Sequence, residues 1–354
     1  MDINQYTNEA VELLQRLIAT PSVSREEHAA ADILADFIGK CGLPVKRVGN
    51  NILVQEAIDP NKPTLLLNAH IDTVKPVSTW TRDPFAPTIE DDDYLYGLGS
   101  NDCGGGLVSL LQVYRILRAR DIPYNIVYLA SCEEEVSGQN GFSLILPELP
   151  KIDVAIVGEP TGMQPAIAEK GLMVIDGVAR GKSGHAARNE GVNAIYEALE
   201  DIGWFRTYQF PKVSEYLGPV KMSVTMISAG TQHNVVPDEC RFVVDVRPNG
   251  MYSNQELLAL IKEEVSCEVK ERSTRIGSSH LPVSHPVVRR GLSLGLQPFG
   301  SPTTSNQALC SFPTLKIGPG DSSRSHGPDE YITLDEIATG VDLYVKLLDD
   351  LELN

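Results

Sequence analysis

The six cysteines of this 354-residue chain (Cys41, Cys103, Cys132, Cys240, Cys267 and Cys310) form no C-x-x-C pair and follow no regular spacing. That argues against a disulfide framework and against a thiolate zinc site. Most should be small buried hydrophobes in a reducing compartment, and any metal would then be held by histidine and carboxylate. No run approaches the ~18 consecutive apolar residues of a membrane helix. The start, Met1-Asp2-Ile3-Asn4-Gln5, has neither the basic nor the apolar region of a signal peptide. Basic residues are also short, with 30 Lys and Arg against 47 Asp and Glu and a formal net charge of −17. Such a field repels phosphate backbones and anionic lipid, which makes nucleic acid and membrane poor partners. A G-x-S-x-G elbow and a P-loop are both missing, so acyl-serine and nucleotide chemistry lose ground. These absences leave a soluble, cytoplasmic protein as the expectation.

The apolar pattern then organises the chain. Residues 6–19 and 26–39 carry apolar positions at helical spacing, with Pro21 in the break between them. Strands are expected at Asn51–Gln55, Thr64–Ala69, Asn125–Ser131 and Val154–Val157, with a helix at Gly106–Arg118. That alternation predicts an α/β layer with a largely parallel sheet. The middle of the chain changes rhythm. Strand, helix, two strands, helix and strand follow one another from Leu172 to Glu271, the ferredoxin-like β-α-β-β-α-β order. The expected organisation is therefore a discontinuous α/β domain, residues 1–171 with 282–354, carrying an α+β insertion at 172–281. The C-terminal helix is expected at Leu334–Leu348.

Chemistry-bearing residues gather where α/β proteins place function, beyond the carboxyl ends of strands. His70-Ile71-Asp72 ends one strand, and residues i and i+2 of an extended chain share a face. Either His70 is a metal ligand whose other ring nitrogen bonds Asp72, or the pair is a polar strand end. Asp102 precedes three glycines at the start of a helix, where it could also be an N-cap. Glu133-Glu134-Glu135 follows an apolar strand directly, and such crowding is costly unless a cation or a shared proton relieves it. Glu159 ends a further strand, and His326 lies in a loop after Gly318-Pro319-Gly320-Asp321. Imidazole with carboxylate suits zinc, cobalt or manganese. The number of ligands allows two ions, a pairing used to activate water and polarise a carbonyl or phosphoryl oxygen.

Taken in order, His70-Ile71-Asp72, Asp102, Glu134-Glu135, Gly158-Glu159-Pro160 and His326 resemble the motifs of the M20 family of metallopeptidases and deacylases over nearly the whole chain. Gly318-Pro319-Gly320 and His326-Gly327-Pro328-Asp329-Glu330-Tyr331 are most similar to the acetylornithine deacetylase branch, with the succinyl-diaminopimelate desuccinylase branch next. The resemblance implies a zinc-peptidase-like fold with helices on both sheet faces and an inserted lid and dimerisation domain that closes about a hinge near Lys170-Gly171 and His280–Pro282. It implies two divalent metal ions, zinc first and cobalt or manganese after it. Asp102 would bridge them, His70 and Glu159 completing one site and Glu135 and His326 the other. Asp72 would orient His70, and Glu134 would be the general base. His185 would hold the substrate carbonyl oxygen, Arg247 the α-carboxylate, and Asn234 and Thr304 would line the substrate site. The activity implied is hydrolysis of an N-acyl-L-amino acid, with N-acetyl-L-ornithine first and N-acyl-citrulline or N-succinyl-ornithine close behind, in arginine biosynthesis and by a cytoplasmic homodimer. Succinyl-diaminopimelate or N-acetyl-lysine hydrolysis, a dipeptidase or carboxypeptidase, and an inactive metal-binding scaffold are the alternatives. Two departures from the family pattern stand out. Glu133 replaces an aspartate, and Cys103-Gly104-Gly105 stands where Met-Lys-Gly is common.

Overall fold

The computed structural model describes residues 3–91, 93–188 and 190–353, which fall into two compact units. The first comprises Met1–Ile167, Leu281–Phe299 and Ser305–Asn354; the second comprises Ala168–His280 and Gly300–Thr304. Residues 300–304 thus fall with the second unit, although the sequence reading placed 282–354 whole in the first. The physical reason is local: the Thr304 hydroxyl donates to the Lys170 carbonyl and accepts from Arg247.

In the first unit the strands run in the order Lys46–Val48, Asn51–Gln55, Asn125–Ser131, Thr64–His70, Val154–Val157 and Thr314–Lys316. The last four are parallel, while the two outer strands pair antiparallel. Thr64–His70 and Asn125–Ser131 are buried along their whole length, as expected of parallel strands covered on both faces. His70 pairs with Ser131 and Asn68 with Val157. The carboxyl ends of three neighbouring strands are therefore level, and each runs straight into one of the polar clusters. Helices Ile3–Ile18, Gly105–Leu117 and Leu334–Leu348 pack on one another, burying Leu13, Leu14, Leu110, Leu111, Val341 and Leu348. Each such side chain removed from water contributes about 1.5–3 kcal/mol. A reciprocal cap starts the last helix: Thr333 Oγ1 accepts from Glu336 N, and Glu336 Oε2 from Thr333 N.

The second unit carries a four-stranded antiparallel sheet in the order Lys221–Ala229, Glu239–Arg247, Met173–Arg180, Glu268–Glu271. Helices Ala194–Thr207 and Asn254–Glu264 complete the β-α-β-β-α-β sequence. Alternate residues of Met173–Arg180 are buried, the period of a sheet with one covered face. Met173, Ile175, Phe205, Phe242, Val244 and Leu257 make its core. Among the described residues no helix is long and apolar enough to cross a membrane.

Candidate metal centre

Two close backbone approaches bring the clusters together. A Cβ at Gly106 would lie 2.1 Å from the Gly158 carbonyl oxygen, and one at Gly318 would lie 2.5 Å from the Glu159 carbonyl. Only glycine lets the helix starting at Gly105 and the Gly318 loop close on the Gly158-Glu159 turn.

Asp102 stands between two imidazoles. Its Oδ1 is 3.2 Å from His70 Nε2, and its Oδ2 is 3.6 Å from His326 Nε2. Around His70 Nε2 lie Glu159 Oε1 at 3.9 Å and Glu134 Oε2 at 4.0 Å. His326 Nε2 is 3.0 Å from Glu135 Oε2. The structure thus brings His70, Asp102, Glu134, Glu135, Glu159 and His326 into one cluster. His70 is buried, the four carboxylates are nearly so, and His326 is half-exposed, with 55% of its side chain accessible. Its φ of +61° places it in the left-handed region, a backbone strain accepted in turning the ring towards Glu135. Asp102 is not an N-cap, and the peptide that follows it is cis.

The layer behind these groups departs from one expectation. The Asp72 carboxylate does not make the closest bond to His70: Nδ1 lies 2.8 Å from the Asp72 main-chain oxygen and 3.6 Å from its Oδ1. That carboxylate instead accepts the main-chain N–H groups of Glu134 at 3.0 Å and Glu135 at 3.1 Å, and the Ser24 hydroxyl at 2.7 Å. Glu27, wholly buried, accepts the N–H of Glu133. Three successive amides of the acidic run are therefore held by carboxylates, which sets where its side chains point. Glu133 turns away, at φ +53°, and bonds both the amide and the side chain of Asn140.

Glu330 does the same for Asp102, accepting the N–H groups of Gly99, Asn101 and Asp102 at 2.9–3.1 Å. Asn101 in turn bonds Asp321 and Ser325 in the loop that carries His326. Sequence reasoning gave no role to Ser24, Glu27 or Glu330. Of these only Glu330 had a signal, its place in the segment that begins with His326.

Burial of so much like charge shifts Glu134 and Glu159, and His326 moves with them. Burial, then Glu159 and the other neighbouring carboxylates, pushes Glu134 well above the ordinary carboxyl range despite opposition from His70. Burial and the Asp102 charge bring Glu159 up to about 7. The hydrogen bond to Glu135 raises His326 to about 9. Glu159 Oε1 is buried with no hydrogen-bond partner among the described residues, in a set where His70, Cys103 and Glu159 donor atoms lie within 4.8 Å of one another. His70, Asp102 and Glu135 form a second such set. An orphaned buried oxygen among crowded carboxylates and imidazoles is the environment a divalent cation relieves, so these residues fit a metal pair.

The remaining candidates lie in the second unit. Arg247 is clamped by Asp245, Nε to Oδ1 at 2.8 Å and Nη2 to Oδ2 at 3.1 Å, while Nη1 donates to Thr304 Oγ1 at 3.2 Å. His185 and Asn234 are exposed; His185 Nδ1 accepts the Ala187 N–H, and the Asn234 carbonyl accepts the Ala186 N–H.

A sequence profile of peptidase family M20/M25/M40 matches residues 66–350. The acetylornithine deacetylase of Pectobacterium carotovorum subsp. carotovorum (strain PC1) is 31% identical over 358 aligned positions, covering 91% of this chain and 92% of that protein. That of Proteus mirabilis (strain HI4320) is 29% identical, covering 96% of each. Among solved structures, an aminopeptidase from Bacillus cereus ATCC 10987 superposes with a TM-score of 0.78 at 19% identity over 99% of both chains. A dinuclear metal-binding M20 peptidase of Bacillus subtilis gives 0.74 at 15% identity, over 98% of this chain and all of that one.

Proposed function

The chain belongs to peptidase family M20/M25/M40, and on that premise we propose that it hydrolyses the amide bond of an N-acyl-L-amino acid, N-acetyl-L-ornithine first among them. The observation that carries the reading is Asp102 facing a different imidazole with each carboxylate oxygen, with Glu134 alongside. His70 and Glu159 would hold one divalent ion and Glu135 and His326 the other, with Asp102 shared and zinc the expected metal. When bound, such ions supply a water of lowered pKa and polarise the scissile carbonyl. Glu134 takes a proton from the attacking water and returns it to the leaving amine. Asp72 and Glu330 position that chemistry through the backbone, fixing the Glu134-Glu135 turn and the Asp102 turn. We assign the developing oxyanion to His185 and the substrate α-carboxylate to Arg247, a planar donor suited to it, with Asn234 and Thr304 as further substrate contacts.

The ornithine side chain is favoured by the two deacetylases named above and by the acidic balance of the chain. A place in arginine biosynthesis, a cytoplasmic location and a homodimer formed through the second unit belong to the same reading. It is tested by amine release from acetyl and succinyl derivatives of ornithine, citrulline, lysine and diaminopimelate, with dipeptides alongside. One strongly preferred acetylated substrate, lost in Glu134→Ala, supports it. Turnover confined to succinyl-diaminopimelate or to dipeptides replaces it with that activity. Silence across the set with metal bound leaves a scaffold.

A further inference from the structure

We propose that Cys103 is a thiolate donor to the cation held by His70 and Glu159, so that the two metal positions differ in softness. The inference rests on the dinuclear reading above and revises the expectation that sulfur plays no part. Four observations carry it. Cys103 is 1% exposed, and its Sγ shares the 4.8 Å cluster with the His70 and Glu159 donor atoms. The main-chain N–H of His70 donates to Sγ at 3.1 Å, the outer support that steadies a ligand sulfur. Within the same cluster Glu159, itself 8% exposed, presents Oε1 with no hydrogen-bond partner among the described residues, a buried acceptor left for a cation. Asp102 and Cys103 lie in the single turn Ser100–Gly104, and each has a contact to His70.

The plainer account makes Cys103 a small buried hydrophobe. Cys132 fits that account: each Sγ donates to a carbonyl, Cys132 to Asn140 at 3.4 Å and Cys103 to His70 at 3.5 Å, but Cys132 belongs to no donor cluster among the described residues. On ligation the S–H bond of Cys103 breaks, the electron pair stays on sulfur and is shared with the cation, and the proton leaves to solvent, with no change of oxidation state. Thiolate favours zinc, cadmium and cobalt over manganese and magnesium. The His70/Glu159 position should therefore be thiophilic, while the Glu135/His326 position keeps an ordinary imidazole and carboxylate preference.

The test is the absorption spectrum of the full chain loaded with cobalt(II). Visible ligand-field bands report that cobalt is bound, and a near-ultraviolet thiolate-to-cobalt band reports sulfur ligation. The expected result is both in the wild type, with only the near-ultraviolet band lost in Cys103→Ser and retained in Cys41→Ser and Cys267→Ser. Cys103→Ser should also lose cadmium affinity by on the order of tenfold or more and keep its manganese affinity. Visible bands without the near-ultraviolet one, or a band that survives in Cys103→Ser, overturn the proposal and leave the dinuclear reading intact. Failure to bind cobalt at all overturns both. A variant that does not fold shields nothing, because the wild-type spectrum already reports whether sulfur is bound.

Discussion

In the first unit Asp72, Glu27 and Glu330 are buried, and each accepts main-chain N–H groups from a segment that carries a candidate ligand or base. In the second unit His185 and Asn234 stand in the open, and Arg247 shares its charge with Asp245, both side chains 29% exposed. The contrast separates two physical tasks. Groups proposed to hold cations and move protons need fixed positions and low local dielectric, and these stand on level strand ends with the backbone pinned behind them. Groups assigned to substrate recognition remain where a ligand can reach them, and their partners are weak enough to exchange.

The largest expected effect tests the first half of that contrast at its centre. Glu134→Ala should lower kcat about 10²–10⁴-fold while metal content, read by atomic absorption, stays at the wild-type level. An active variant would remove the base assignment.

Next is the pinning layer. Glu330→Ala leaves three buried N–H groups without their acceptor, at about 1–3 kcal/mol for each donor that water cannot reach. Denaturant unfolding should show a loss of several kcal/mol, and metal should be released more readily because Asp102 is no longer held. A melt like the wild type's would mean that solvent or a rearranged backbone replaces the carboxylate.

In the second unit Arg247→Ala should behave differently. It removes a partly exposed pair with Asp245, so stability should move by less than about 1 kcal/mol. KM should rise about tenfold to a hundredfold, the worth of a charge-assisted bond. A collapsed melting temperature with KM unchanged would show that the arginine is structural and that the two units are not divided as described.

The smallest effect is a pH dependence in the metal-free protein. The hydrogen bond to Glu135 lifts His326 from 6.5 to about 9. A raised folded-state value means that the pair's stabilisation is whole below pH 6.5 and is lost as pH rises through about 9. With His326 half in solvent the amplitude should be small. Metal binding must also displace that proton, so calorimetry in buffers of different ionisation enthalpy should detect its release at pH 7.5 and much less of it at pH 10. Equal proton release at both values would separate His326 from the metal site.

Much of this architecture was legible in the chain. Asn125–Ser131, Val154–Val157 and Leu334–Leu348 lie where their apolar patterns placed them, because burial on a period of 2 or 3.6 is a local property. The same patterns put His70, the acidic run and Glu159 at strand ends. Short strands such as Lys46–Val48 and Tyr331–Thr333 were missed, since three residues carry too little periodicity to register.

By itself the sequence determined which chemical groups exist and at which strand ends they emerge, since spacing and alternation are written residue by residue. Only the tertiary structure decided how they are used. Three adjacent glutamates are alike in sequence, yet Glu133 turns to Asn140 while Glu134 and Glu135 approach the imidazoles. That choice is made by Glu27 and Asp72, 106 and 62 residues away in the chain from the amides they hold. The side-chain period along a strand says which face a residue takes, but a hydrogen bond between distant segments depends on strand order and on backbone that only folding brings together.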